Sequence, residues 1–209
     1  MKRLSTDAEY LNSRKLVLDA DGIPFEPASK GYVDQRVPIG SFAGAGSPEG
    51  NIAAPVGSAY TDTAATNGAI RWIKTSGTGN TGWRVEHGDT GWRNITSLMG
   101  DSVTGGKALI RRTNDTVWLD VENLTYSSTS PSNYILFSSS AIPAGFRVVA
   151  GWRYFNTTSR SASESQGPFR VSYGGDLGLY DTTEKTQLTA YVSWLTGNSW
   201  PATLPGAPA

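Results

Sequence analysis

The chain contains no cysteine and a single histidine, His87. Disulfides, thiolate nucleophiles and Cys-ligated metals are thereby excluded, and so is a His-rich zinc site within one chain. A site assembled from His87 of several symmetric copies stays open. An excess of either charge is also missing: Lys plus Arg and Asp plus Glu number 18 each, for a formal net charge of zero. A general nucleic-acid binder would show a basic stripe, whereas the longest basic runs here are pairs such as Arg111-Arg112. No run approaches the ~20 apolar residues that cross a bilayer. The opening "MKRLSTDAEYLNSRKLVLDADG" has no apolar stretch behind Lys2 and Arg3, so it does not read as a signal peptide. We therefore expect no cofactor, no metal, no nucleic-acid partner and no membrane insertion, in a product made in a cytoplasm. The N-x-S/T sequons at Asn94, Asn114, Asn123 and Asn156 then read as chance in a chain rich in Asn, Ser and Thr.

What is abundant is glycine, at 24 residues, and aromatic side chains, at 11%. With few charges and much Ser and Thr, this suits an all-β protein with many turns, in which Trp and Tyr supply large packing area. Residues 1–36 are polar and lack Trp. They read as an extended N-terminal anchor, with a candidate short helix in "ASKGYVDQRV". Residues 37–57, "VPIGSFAGAGSPEGNIAAPVG", concentrate Gly, Ala and Pro without periodicity and read as a linker. Residues 58–96 form a small β-hairpin module. From 97 to 209, short alternating segments between turn-rich stretches predict an antiparallel β-sandwich head, jelly-roll-like. "DTVWLDV" puts Val117, Leu119 and Val121 on one face, and "LTAYVSW" groups Leu188, Ala190, Val192 and Trp194. "FRVVAGW" would align Phe146, Val148, Ala150 and Trp152, and "PFRVSY" would align Phe169, Val171 and Tyr173.

The stretch "NTGWRVEHGDTGWRNI" (80–95) gathers Glu86, His87 and Asp89 between two copies of TGWR. In a strand, successive side chains face opposite ways. Trp83, Val85 and His87 then share one face, and Arg84 and Glu86 the other. With "GDTG" as a hairpin loop, His87 lies opposite Trp92 and Glu86 forms a cross-strand ion pair with Arg93. Glu86 and His87 point apart and do not serve one catalytic centre. Packing is the leading role for His87, ahead of a ligand contact and of catalysis. A hairpin unit this small is marginal in water. Its rings are expected to be buried by identical copies around a symmetry axis, which makes Tyr60, Trp72, Trp83, His87 and Trp92 the candidate trimer interface.

Other motifs fall short of chemistry. "LDADGIPFE" (18–26) departs from the EF-hand spacing and reads as an Asp-Gly turn. "GTGNTG" (77–82) lacks the Lys-Ser/Thr ending of a phosphate loop. Asp181 and Glu184 are spaced like paired carboxylates but sit near a turn, and no G-x-S-x-G elbow occurs. No catalytic residue is nominated, and we expect no enzyme. Aromatic residues at a strand end are the better signal. "GWRYFNTTSR" offers Trp152, Tyr154, Phe155 and Asn156 as a candidate glycan-binding set, because sugar C–H faces stack on rings while hydroxyls bond to Asn, Ser and Arg.

"GSPEGNIAAPVGSAYTDTAATNGAIRWIKTSGTGNTGW" resembles the G-x-P-E-G…A-P-x-G-S-x-Y…K-x-S-G-x-G-x-T-G-W module of bacteriophage tail-fibre and minor tail proteins, notably of siphophages of Gram-positive actinobacterial hosts. "ASKGYVDQRV" is similar to the A-[TS]-K-x-Y-V-D segment that precedes such modules, and "IPAGFR" and "WPATLPG" resemble fibre tips. The resemblance covers most of the chain. It implies a homotrimeric virion protein: residues 1–36 dock onto another virion structural protein, an intertwined neck follows, and the head meets a host-surface glycan. A head fibre or decoration protein on the capsid is the runner-up, because the chain is short for a tail receptor-binding protein. A bacterial carbohydrate-binding module comes third.

Overall fold

A computed structural model describes residues 17–18, 24–25, 39–101, 103–126, 134–137, 141–156, 158–159, 168–179 and 188–209. The chain divides into two units, Met1–Pro38 and Ile39–Ala209. In the first, β1 (Val17–Leu18) pairs antiparallel with β2 (Pro24–Phe25). The helix expected near residues 28–36 lies outside the described residues, as do the Asp-Gly turn, Asp181 and Glu184.

The second unit is all-β. Its strands are β3 (Ser41–Gly44), β4 (Ala59–Asp62), β5 (Ala69–Lys74), β6 (Trp83–Gly88), β7 (Arg93–Asn94), β8 (Val103–Thr113), β9 (Thr116–Tyr126) and β10 (Tyr134–Phe137). They continue with β11 (Trp152–Asn156), β12 (Thr158–Ser159), β13 (Pro168–Ser172), β14 (Leu177–Leu179), β15 (Leu188–Leu195) and β16 (Ala207–Pro208). Three sheets result, ordered β3-β4-β5-β6, β12-β15-β9-β8-β7-β16 and β10-β14-β13-β11. Every pairing is antiparallel except β3 with β4.

The six-stranded and second four-stranded sheets share one apolar cluster. Val117, Leu119 and Val121 of β9, and Ala190, Val192 and Trp194 of β15, are all buried in it, as alternation predicts. Phe169, Val171 and Leu177 reach the same cluster from the smaller sheet. Each fully buried Leu or Phe contributes about 1.5–3 kcal/mol relative to exposure. The β8–β9 hairpin turns on Asn114 and Asp115, with Asn114 in the left-handed region at φ 50°. A short polar Asn tolerates that backbone, which accounts for one of the sequons as turn chemistry.

Three expectations are corrected. The segment expected to be a linker is folded from Ile39 onward: β3 pairs along β4, and Phe42 and Ile52 pack against the apolar cluster of the small sheet. Its pairing of β3 with β4 runs through backbone groups, which leave no periodicity in the sequence. The strand expected from Phe146 to Trp152 is interrupted. Residues Ala144–Phe146 make one turn of 3-10 helix, Ala150 is exposed, and pairing begins only at Trp152. Finally, the hairpin expected between the two TGWR copies does not form: β6 pairs with β5, whereas β7 pairs with β8 and β16 in the six-stranded sheet.

Candidate functional site

The acid–histidine cluster comes apart in three directions. Arg71 donates to Glu86 across β5–β6 at 2.8 Å, so the partner of Glu86 is Arg71 and not Arg93. Arg93 instead donates to the Pro205 and Gly206 carbonyl oxygens. Asp89 takes a two-pronged hydrogen bond from Arg111. Its carboxyl is held below the usual range by that hydrogen bond first, against the opposing effect of burial. His87 is exposed and is not packed between Trp83 and Trp92. The register of β5 against β6 shifts on both sides of Arg71, which is a bulge. A bulge reverses the inward–outward alternation. His87 therefore turns outward and Gly88 inward, close enough that a Cβ at Gly88 would lie 2.7 Å from the Trp200 ring.

The tryptophans of the small sheet are buried by their own chain. Tyr60, Trp72, Trp83 and Trp200 form one cluster with Ala54 and Ala69, and Tyr60 meets Trp83 edge-on at 6.1 Å. This removes the premise that identical copies must cover Tyr60, Trp72 and Trp83. The ring that completes the cluster, Trp200, comes from near the far end of the chain. Trp92 is half-buried outside it.

The motif residues of this region interlock. The Glu49 carboxylate accepts from the Gly82 and Trp83 backbone N–H groups at 3.2 and 2.8 Å, while Gly50 and Asn80 exchange hydrogen bonds. The Trp83 indole donates to the Ile52 carbonyl at 2.8 Å. Lys74 is fully buried, and its ammonium donates to the Gly79 and Thr81 carbonyls. Gly82, at φ 91°, holds a backbone conformation that suits glycine, and a Cβ there would lie 2.4 Å from the Ser76 carbonyl oxygen. Glu49, Gly50, Lys74 and Trp83 of the motif thus each tie one loop to another. Asp62 works similarly nearby: burial would raise its pKa, but N–H groups of Ala65, Gly46 and Ala64 together hold it below the usual range.

The candidate glycan set is partly assembled. Trp152 and Tyr154 lie on the outer face of edge strand β11, 40% and 54% exposed. Across the strand, Tyr154 is in register with Arg170, whose guanidinium sits 4.4 Å from the Trp152 ring centre. A cation over an indole fixes the ring and leaves its other face available. Phe155 does not belong with them: alternation turns it inward, where it packs on the apolar core 6.3 Å from Trp194. Asn156 ends the strand opposite Pro168.

A second aromatic pair escaped the sequence reading. Trp118 and Tyr191 stack at 5.9 Å on the outer face of the six-stranded sheet, with Tyr191 61% exposed and Leu195 exposed beyond it. The outward positions of "DTVWLDV" and "LTAYVSW" were the available signal. Beside them Asp120 has its pKa raised, by burial first and by Glu122 second.

Among the described residues, no group of three or more His, Asp or Glu side chains is placed to hold a metal ion. No protein-family model matches the chain, and no curated protein matches it.

Proposed function

We propose that the chain is a structural bacteriophage virion protein: a homotrimeric tail fibre or minor tail protein whose jelly-roll-like β-sandwich head attaches to a host-surface glycan. Residues 1–36 serve as the anchor to another virion structural protein, with assembly in the host cytoplasm. The observation that carries this proposal is the interlocked loop system around Glu49, Lys74, Asn80 and Trp83. Glu49, Gly50, Lys74, Gly82 and Trp83, which stand at named positions of the tail-fibre resemblance, take part in this system, and that supports reading the resemblance as structural. The Trp152–Tyr154 face supports the attachment role, because exposed rings beside a guanidinium suit a sugar. Trimer contacts need apolar surface that one chain leaves uncovered, and Trp118, Tyr191 and Leu195 provide it. Three copies would multiply weak sugar binding through effective concentration.

The test is adsorption of phage particles lacking this protein, with particles labelled on it imaged in parallel. Lost adsorption with label confined to the tail is expected. Label spread over the head would move the protein to the capsid, as a head fibre or decoration protein. Unchanged adsorption would remove the attachment role.

A further inference from the structure

An open cleft of about 600 Å³ lies where the small sheet meets the β8–β9 turn and the 197–202 segment. It falls within the 300–1,000 Å³ typical of small-ligand sites. Trp72, Trp83 and Arg84 line it from the small sheet, Trp200 from the C-terminal segment and Asp115 from the β8–β9 turn. The Trp83 and Trp200 indoles donate to the Ile52 and Asn67 carbonyls, whereas the Trp72 Nε1 is buried with no hydrogen-bond partner. A buried donor left unmatched is costly, which sets Trp72 apart from its neighbours.

Two of the four charged groups lining the cleft are committed elsewhere. Arg112 donates to the carbonyls of Asn114, Gly145, Ser199 and Asn198, and burial pushes its pKa down to about 10, so it stays charged at neutral pH. Glu49 is held by backbone N–H groups. Arg112 also lies 3.7 Å from the Asp115 carboxylate. Arg84 and Asp115 pair only loosely with each other. Their separation is 3.5 Å, beyond the 2.7–2.9 Å of a strong charge-assisted bond, and both side chains are more than half exposed. One donor and one acceptor at that spacing fit adjacent hydroxyls, one accepting from the guanidinium and the other donating to the carboxylate. An anionic ligand would meet Asp115, and a cationic one would meet Arg84 and Arg112. Aromatic walls complete a surface for C–H faces.

We propose that this cleft is a binding site for a neutral saccharide of one or two rings, separate from the Trp152–Tyr154 face. The sugar class rests on the attachment proposal, while the site itself rests on the cleft, the unmatched Trp72 donor and the loosely paired Arg84 and Asp115.

The seven tryptophans allow one experiment to address both faces. The full chain, labelled with nitrogen-15, is titrated with maltose, cellobiose and N,N′-diacetylchitobiose while the indole N–H signals are followed. The expected result is a saturable shift of the Trp72 and Trp200 signals with at least one disaccharide. Asp115→Asn and Arg84→Gln should each weaken that binding by about tenfold or more, since a hydrogen bond to a charged group is worth about 1.5–3 kcal/mol. The Trp152 signal should respond the same way in both variants and the parent. Trp72 and Trp200 signals that stay fixed with all three sugars would overturn the cleft, and so would shifts unaltered by both variants. A shift of Trp152 alone would overturn the cleft while leaving glycan attachment standing.

Discussion

In the larger region of residues 39–209, Leu119, Val171 and Val192 meet in a core made almost wholly of aliphatic and Phe side chains. In the small sheet, Lys74, Asp62 and Ser58 are buried beside Trp72 and Trp83. The first region is held by non-directional apolar burial, which tolerates similar shapes. The second depends on directed hydrogen bonds, each closing a loop of the motif, and on rings that fill a volume too small for a conventional core. Interiors of the second kind are unforgiving, because a half-satisfied polar network is worse than an apolar one. The difference teaches that the small sheet depends on particular residues at particular positions, while the larger core depends on an alternating pattern.

The largest expected effect breaks the aromatic half of that contrast. Trp83→Ala should cost about 3–5 kcal/mol of unfolding free energy, measured by denaturant titration. Because the ring is buried by its own chain, the loss should be the same at low and high protein concentration. A loss that grows on dilution would mean that neighbouring copies supply the burial. Leu119→Ala is the counterpart in the larger core, at about 2–5 kcal/mol.

The polar half is broken by Lys74→Met. The stem is matched in length, but the Gly79 and Thr81 carbonyls lose their charged donor, so about 2–3 kcal/mol should go. Amide exchange should rise first in residues 75–82, the loop that this ammonium ties through the Gly79 and Thr81 carbonyls. Uniform exchange across both sheets would make the two regions one cooperative unit with no weaker part.

A smaller effect depends on pH. Asp62 has a folded pKa below its ordinary value, so the folded state holds its proton less tightly than the unfolded chain. Its contribution is fully present above the unfolded value of about 3.9 and is lost as pH falls through the lower folded value. Stability measured from neutral pH into that window should fall more steeply for the parent than for Asp62→Asn. Equal slopes would place the acid-sensitive carboxylates elsewhere, with Asp89 the next to test by Asp89→Asn.

How much of this was legible depended on the range of the contact. Period-two patterns gave the inward faces of β9 and β15, because each strand's alternation is a local property. The pair Arg111-Arg112 reads instead as a surface strand end, whereas the structure buries Arg112 with Ala108 and Ile110. Its role was still invisible, since its acceptors lie dozens of residues away in Gly145, Asn198 and Ser199. The cover for the small sheet's rings was hidden for the same reason: Trp200 reaches them from more than a hundred residues downstream. The Trp152–Tyr154 face was readable, but the inward turn of Phe155 required knowing where β11 begins. Parity counted from a strand is reliable only while the pairing stays in register.

His87 is where that condition failed, and it gives the smallest expected effect. The register shifts around Arg71 carry the side chain from the inner face to the outer one. An exposed side chain without a packing role should be replaceable, so His87→Ala should change stability by no more than about 0.5 kcal/mol. Glu86→Gln, which removes the exposed ion pair with Arg71, should cost about 0.2–1 kcal/mol and less in high salt. Both values are far below that of Trp83, although all three residues lie on the one strand β6. A cost for His87→Ala near that of Trp83→Ala would mean that the bulge is absent in solution and that the imidazole packs inward after all. Such a result would return His87 to the ring cluster and would reopen a contact between copies at this sheet.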